Sequence, residues 1–209
     1  IIGRVSGWAW GLGYAGGLAC LVFILVAFDT SDLDQVRLTS VLVAVWFGVF
    51  SLPLILWTSA TPARPINWRG AIIDGFGQLI ATLRQVRHHG DIARFLLARL
   101  FYNDGLVTLF AVGGIFAKTT FGMTTAEVLQ FGVAINVTAG LGAAGFAWID
   151  DWIGSKRTIL ISLAGLIIIA AGVLSAETTL AFLIWGSLLG IFVGPVQAAS
   201  RTMMAHLAP

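Results

Sequence analysis

Charge is what this chain has least of. Of its 209 residues, 12 are Lys or Arg and 10 are Asp or Glu, so only 11% are charged. A soluble domain carries about a quarter. So few charges cannot cover a water-exposed surface, and most of the chain must face lipid or other apolar helices. Cysteine is nearly absent as well. Cys20 stands alone, which excludes an internal disulfide framework and a cysteine metal site. His88 and His89 are adjacent and project to different helix sides, no carboxylate cluster accompanies them, and no metal site or cofactor is expected. There is no initiator methionine. The chain starts at Ile1-Ile2 and stops at Pro209 just past an apolar run, so a fragment of a longer protein is expected. The first apolar run is too long and too glycine-rich for a signal peptide.

What is present is hydrocarbon: 58% of residues are hydrophobic, and mean hydropathy is +0.93. Six apolar runs have the roughly 20 residues a helix needs to cross a bilayer. They cover residues 7–28, 38–58, 95–117, 126–149, 158–176 and 180–199. The runs are continuous rather than alternating, which argues against a membrane β-barrel. An all-α membrane protein with six transmembrane helices is the expectation, and the lipid bilayer is its first partner.

The basic residues orient it. Arg4, then Arg64, Arg69, Arg84, Arg87 and Arg94, then Lys156 and Arg157, then Arg201 all fall on one side if the spans alternate. The other side holds only Arg37 and Lys118, beside Asp29, Asp32, Asp34 and Glu177. Lys and Arg excess marks the cytoplasmic face. Residues 61–94 form the one long hydrophilic connection. Ile72, Phe76, Leu79, Leu83 and Val86 recur there at spacings of four and three, which predicts an amphipathic helix on the cytoplasmic interface.

Against this background Arg99-Leu-Phe-Tyr102-Asn103-Asp104-Gly105 is out of place. An ionisable group within a span is costly and usually faces a water-filled cavity or a partner. Asp104, with Asn103 and Tyr102 as hydrogen-bonding neighbours, is the candidate substrate or proton site. Gly105 would let the helix break there. Arg99 would pair with an acid or meet a substrate carboxylate. The bland alternative is an Asp104–Arg99 or Asp104–backbone contact. Asn136 lies at similar depth in the fourth span, where a helix-packing hydrogen bond competes with substrate contact. Gln197 follows Pro195 in the sixth span and invites the same two readings, with packing or capping ahead.

Small residues recur at every fourth position in two spans: Gly3, Gly7, Gly11, Ala15 and Ala19 in the first, and Gly132, Asn136, Gly140 and Ala144 in the fourth. Such stripes let helices approach closely. Gly11, Gly13 and Gly16 also match Gly-x-Gly-x-x-Gly, but no strand precedes them, and packing is the reading taken. The second and fifth spans are plainly apolar, and the fifth looks peripheral and lipid-facing.

The connection Asp150-Asp151-Trp-Ile-Gly154-Ser-Lys156-Arg157 resembles the loop signature of the major facilitator superfamily. Asp151, Gly154 and Lys156 match, while Ala147 and Trp152 depart from it. By sequence alone, the two acids are placed to favour the start of the following helix through its dipole. The stretches Gly11-Leu-Gly13-Tyr, Tyr102 to Phe110, Asn136 to Gly140 and Gly194 to Arg201 resemble the vacuole-effluxer-like branch of that superfamily. That branch has bacterial members and a fungal vacuolar amino-acid exporter. The resemblance implies a twelve-helix fold in two halves. Residues 1–60 would be helices five and six, 61–94 the cytoplasmic linker, and 95–209 helices seven to ten. Helices seven and ten would line the cavity, and five and eight would pack across the halves.

The function expected is secondary transport of a small polar solute, with protons as coupling ion and amino-acid efflux as the implied direction. A bacterial inner membrane is the expected location. A non-transporting sensor or scaffold is the alternative. An intramembrane enzyme is weaker, because Asp104 is the only mid-span acid and the histidines lie outside the spans. Arginines spread over loops give nucleic-acid binding no support.

Overall fold

A computed structural model describes residues 2–29, 32–58, 70, 72–78, 80–81 and 90–207. Six long helices carry the chain: α1 (Ile2–Ala27), α2 (Leu33–Trp57), α3 (Gly90–Phe121), α4 (Thr125–Ile153), α5 (Ser155–Leu174) and α6 (Thr179–Leu207). Each is long and apolar enough to cross a membrane. No strand occurs among the described residues. In hydrocarbon every backbone N–H and C=O must pair within the protein, and a continuous apolar run can do so only as a helix.

Several helices outrun the apolar stretches that announce them. At ~1.5 Å per residue, the 32 residues of α3 extend well past a hydrocarbon core of about 30 Å. Local chemistry sets the ends. Thr124 and Glu127 form a capping box that starts α4, and Asp32 accepts a hydrogen bond from the Asp34 N–H to start α2. Residues 72–78 are helical, with Ile72 and Phe76 exposed. The other positions of the expected amphipathic face, Leu79, Leu83 and Val86, lie outside the described residues, as do His88 and His89.

Packing centres on α6, which is held between α4 and α5. Phe95 and Leu106 of α3 join Leu166, Leu189, Val193 and Val196 in its apolar core. Phe116, Phe121, Phe131 and Phe182 cluster at the other end of the bundle. Glycines let α4 and α6 approach to backbone contact. A Cβ on Gly142 would strike the Ile191 carbonyl, and one on Gly194 the Ala139 carbonyl. Pro195 contributes to the first contact, because it removes the N–H that would otherwise bond Ile191 four residues back. The helix nevertheless continues through Pro195, which is fully buried. Thr138 adds an interhelical hydrogen bond of 2.6 Å from its hydroxyl to the Ser187 carbonyl.

Helix α5 is two-sided rather than wholly peripheral. Thr158, Ser162, Leu166 and Ile169 are buried, while Leu160, Ile161, Ile167 and Ile168 are exposed. Helix α2 buries no residue at all. The ends alternate as the basic residues require, since Gly3 near the start of α1 touches Asp150 and Asp151 near the end of α4.

Candidate functional site

Helix α6 presents Gln197, Ser200 and Arg201 at i, i+3 and i+4, which puts them on one face. Two of the three meet α3. The Gln197 amide Nε2 donates to Asn103 Oδ1 at 3.0 Å. The Tyr102 hydroxyl and Ser200 Oγ lie 2.6 Å apart. Ser200 itself donates to the Val196 carbonyl, so the shared proton belongs to Tyr102. Polar groups in hydrocarbon seek partners, and these four satisfy one another across two helices. Replacing Asn103 and Gln197 by leucine, singly and together, is expected to show a coupling of ~0.6 kcal/mol, at most about 1.7. A thermal-melt cycle on the full-length protein measures it, and additive losses would mean that the pair does not hold α3 to α6.

Asp104 is not part of that seam. At about 100° per residue, it turns away from the face of α3 that carries Tyr102 and Leu106. It is exposed, between Leu100, Phe101 and Val107, which are exposed too. It makes no hydrogen bond or ion pair among the described residues. Arg99 is half-buried and forms no ion pair with it. Helix α3 runs unbroken through Gly105. Gly105 borders an apolar cavity of about 500 Å3 between α3, α4 and α6, lined by Phe116, Phe131, Ile135 and Phe182 among others. None of the polar candidates lines it.

Asn136 stands at a different seam. Its Nδ2 donates to the Gly132 carbonyl at 2.9 Å. Its Oδ1 faces α1, 3.8 Å from where a Cβ on Gly17 would stand. This seam is the one the small-residue stripes foretell. A Cβ on Gly7 would lie 2.6 Å from Ala147 Cβ and 2.8 Å from the Ala143 carbonyl. Gly11 faces Gly140 more loosely, with 3.6 Å to its carbonyl. Gly132 departs from the pattern: a Cβ there would meet nothing within 4 Å, and the residue borders the apolar cavity instead.

The turn with the facilitator signature is a single residue. Helix α4 ends at Ile153, α5 starts at Ser155, and Gly154 between them has φ 87°, a value that glycine alone adopts without strain. The acids do not cap α5, whose start carries no side-chain cap. Asp151 reaches α1 instead. It accepts the Gly3 N–H at 3.0 Å and the Arg4 Nε–H at 2.8 Å. An unpaired N–H at a helix start and a dipole both favour a carboxylate there, and the first turn of α1 is the start within reach. Asp150, only 5% exposed, has neither oxygen hydrogen-bonded among the described residues. Lys156 and Arg157 are exposed on the first turn of α5.

Two residues that the motifs do not single out complete the picture. The Arg201 guanidinium lies over the Trp10 indole, 4.7 Å from its centroid. Trp10 also packs against Tyr14 one turn on, with centroids 5.8 Å apart. The spacing of Arg201 from Gln197 is the signal in the sequence that both share a face.

Helices that span a bilayer, polar pairs locked inside them and a glycine turn holding one helix start define a multi-pass integral membrane protein with part of a major facilitator fold. The chain belongs to the vacuole effluxer Atg22-like family, whose model matches residues 2–209. Autophagy-related protein 22-1 of Aspergillus fumigatus is 32% identical over 157 residues, covering 69% of this chain and 26% of that protein. Its namesake in Penicillium rubens is 26% identical over 234 residues, covering 99% and 39%. Autophagy-related protein 22 of Coccidioides immitis is 24% identical over 228 residues, covering 95% and 38%. The chain thus spans about a quarter to two fifths of the length of these relatives. No solved structure matches it.

Proposed function

We propose that the full-length protein is a secondary transporter that moves a small polar solute by alternating access, coupled to protons, with amino acids as the solute class. The observation that carries this reading is the Asn103–Gln197 and Tyr102–Ser200 seam between α3 and α6. Polar groups within a membrane span are costly and tend to serve a solute path. In this reading residues 1–60 close the N-terminal half, 61–94 link the halves on the cytoplasmic side, and 95–209 open the C-terminal half. The α1–α4 stripe is then the contact between halves, with Gly3, Gly7, Gly11 and Gly140 facing it. The turn at Asp151, Gly154, Lys156 and Arg157 is its cytoplasmic clasp. Asp104, on the face of α3 turned away from the seam, meets helices of the longer chain and carries the proton. The relatives named above are fungal, and they lend no support to a bacterial inner membrane.

The test is flux by the full-length protein in proteoliposomes, with an amino-acid panel and an imposed pH gradient. Saturable, gradient-dependent uptake is expected, together with thermal stabilisation by the transported members. Absence of both flux and stabilisation across the panel would favour a sensor or scaffold and overturn transport.

A further inference from the structure

We propose that Arg201 and Trp10 together form a carboxylate-binding site at the cytoplasmic end of the contact between α1 and α6. The proposal rests on the transport reading for its setting, and it names the group of the solute that is recognised.

Three observations converge. First, the two side chains lean toward each other. Side chains tilt toward the N-terminus of their own helix. Helix α1 starts at the cytoplasmic end and α6 finishes there, so Trp10 leans back toward the cytoplasmic face and Arg201 leans toward mid-membrane, and the two meet. Arg201 therefore does not stretch to the nearby water, although it sits six residues before the helix end at Leu207. Second, the guanidinium is exposed and meets no carboxylate among the described residues. Its partner among the described residues is an indole face. A cation–π contact positions the charge without neutralising it and leaves the planar fork of N–H donors available. Third, Trp10 Nε1 is shielded from solvent and has no hydrogen-bond partner among the described residues. An indole N–H can only donate, and leaving a shielded donor unpaired is costly.

The site is thus two neighbouring donors, one positive charge and no acceptor. Its complement is an anion of one charge with two acceptor oxygens side by side. A carboxylate fits: one oxygen takes the guanidinium fork, and the other takes the indole N–H once the Trp10 ring shifts to uncover it. A phosphate dianion would need a second cation, and among the described residues no other basic side chain joins Arg201 at the indole. Gln197, one turn away and engaged by Asn103, places this site next to the polar seam, so a solute anchored by its carboxylate would extend toward mid-depth.

The experiment uses the full-length protein in phosphatidylcholine nanodiscs and in proteoliposomes. Glycine and leucine are each compared with the corresponding carboxamide and with the amine lacking the carboxyl group, in thermal-shift and flux assays. The acids are expected to stabilise the protein, and the amides and amines are not. R201Q is expected to raise the apparent dissociation constant or KM about 10- to 100-fold, the range for a hydrogen bond to a charged group. W10F keeps an aromatic face under the guanidinium but loses the N–H together with the five-membered half of the indole. It is expected to raise the same constant by a few-fold to tenfold, which keeps the proposal testable if R201Q fails to fold. Acids and amides moved alike, with W10F unchanged, would overturn the site and leave transport standing. Carboxylate-specific stabilisation that R201Q removes, without flux of any panel member, would leave the site standing and overturn transport. Stabilisation by phosphatidylglycerol in the nanodisc, lost in R201Q and unaffected by the acids, would assign the charge to lipid and overturn the carboxylate site.

Discussion

Valine at Gly190 is expected to leave little folded protein. A Cβ there would fall on the Thr138 hydroxyl, stand 2.5 Å from the Ile135 carbonyl and 2.9 Å from the Ala139 N–H nitrogen. Two of these three atoms are backbone, and a helix cannot shift one peptide without shifting its neighbours. The third belongs to the side chain that bonds the Ser187 carbonyl, so relief by rotation breaks the bond between α4 and α6. Overpacking a tight core costs about 1–3 kcal/mol per insertion. Valine adds three carbons where α4 and α6 are in backbone contact, and a loss above ~3 kcal/mol is expected against a typical total of ~5–15. Fluorescence-detected size exclusion and a thermal melt of the full-length protein check it. Gly13→Ala serves as the control, because a Cβ there meets nothing within 4 Å, and its melting point is expected to stay within ~0.5 kcal/mol equivalents of the parent. A Gly190→Val protein that melts like the parent would show that α4 and α6 do not pack as described.

Asparagine at Asp104 is expected to abolish proton-driven accumulation and spare solute exchange. The amide has the shape of the protonated acid, so it freezes the group in the proton-loaded charge state. One pH unit is about 1.36 kcal/mol, so one proton coupled per solute supports about a tenfold solute gradient at that driving force. The Asp104→Asn protein is expected to reach a ratio near 1 while still exchanging labelled for unlabelled solute. Asp104 makes no hydrogen bond among the described residues, so the substitution breaks no structural contact there and expression is expected to hold. Unchanged accumulation with unchanged pH dependence would remove Asp104 from the coupling mechanism. A fall in melting temperature with coupling intact would assign it a structural role in the longer chain.

The six spans were legible because hydrocarbon imposes one demand that composition records directly: long uninterrupted apolar runs. Helix ends were less legible. Residues such as Asp91 and Arg94 continue α3 beyond the apolar stretch, since water at the boundary tolerates charged side chains on a continuing helix. The stripe of Gly3, Gly7 and Gly11 could be read because close approach admits only small side chains. Its partners could be read only in part. Gly132 keeps the four-residue spacing but looks onto a cavity, and spacing alone does not say what stands opposite a glycine. Asp151 illustrates the same boundary. Its chemistry called for a helix start, and the nearest in sequence was that of α5. The fold brought the start of α1 closer, a relation across 148 residues of separation that no local pattern encodes. Arg201 was counted for its charge and its side of the membrane, while its direction follows from helix polarity and a tryptophan nearly two hundred positions away.

The turn at Gly154 has a mechanical consequence. One residue spans at most ~3.8 Å between neighbouring Cα atoms, so α4 and α5 share a tether with almost no slack. Neither can slide along its axis without dragging the other. Because Asp151 on the same turn grips the first residues of α1, a displacement of α5 is delivered undamped to that grip. The joint therefore behaves as a short, stiff linkage: α4 and α5 travel as one body, and α1 either follows or lets go.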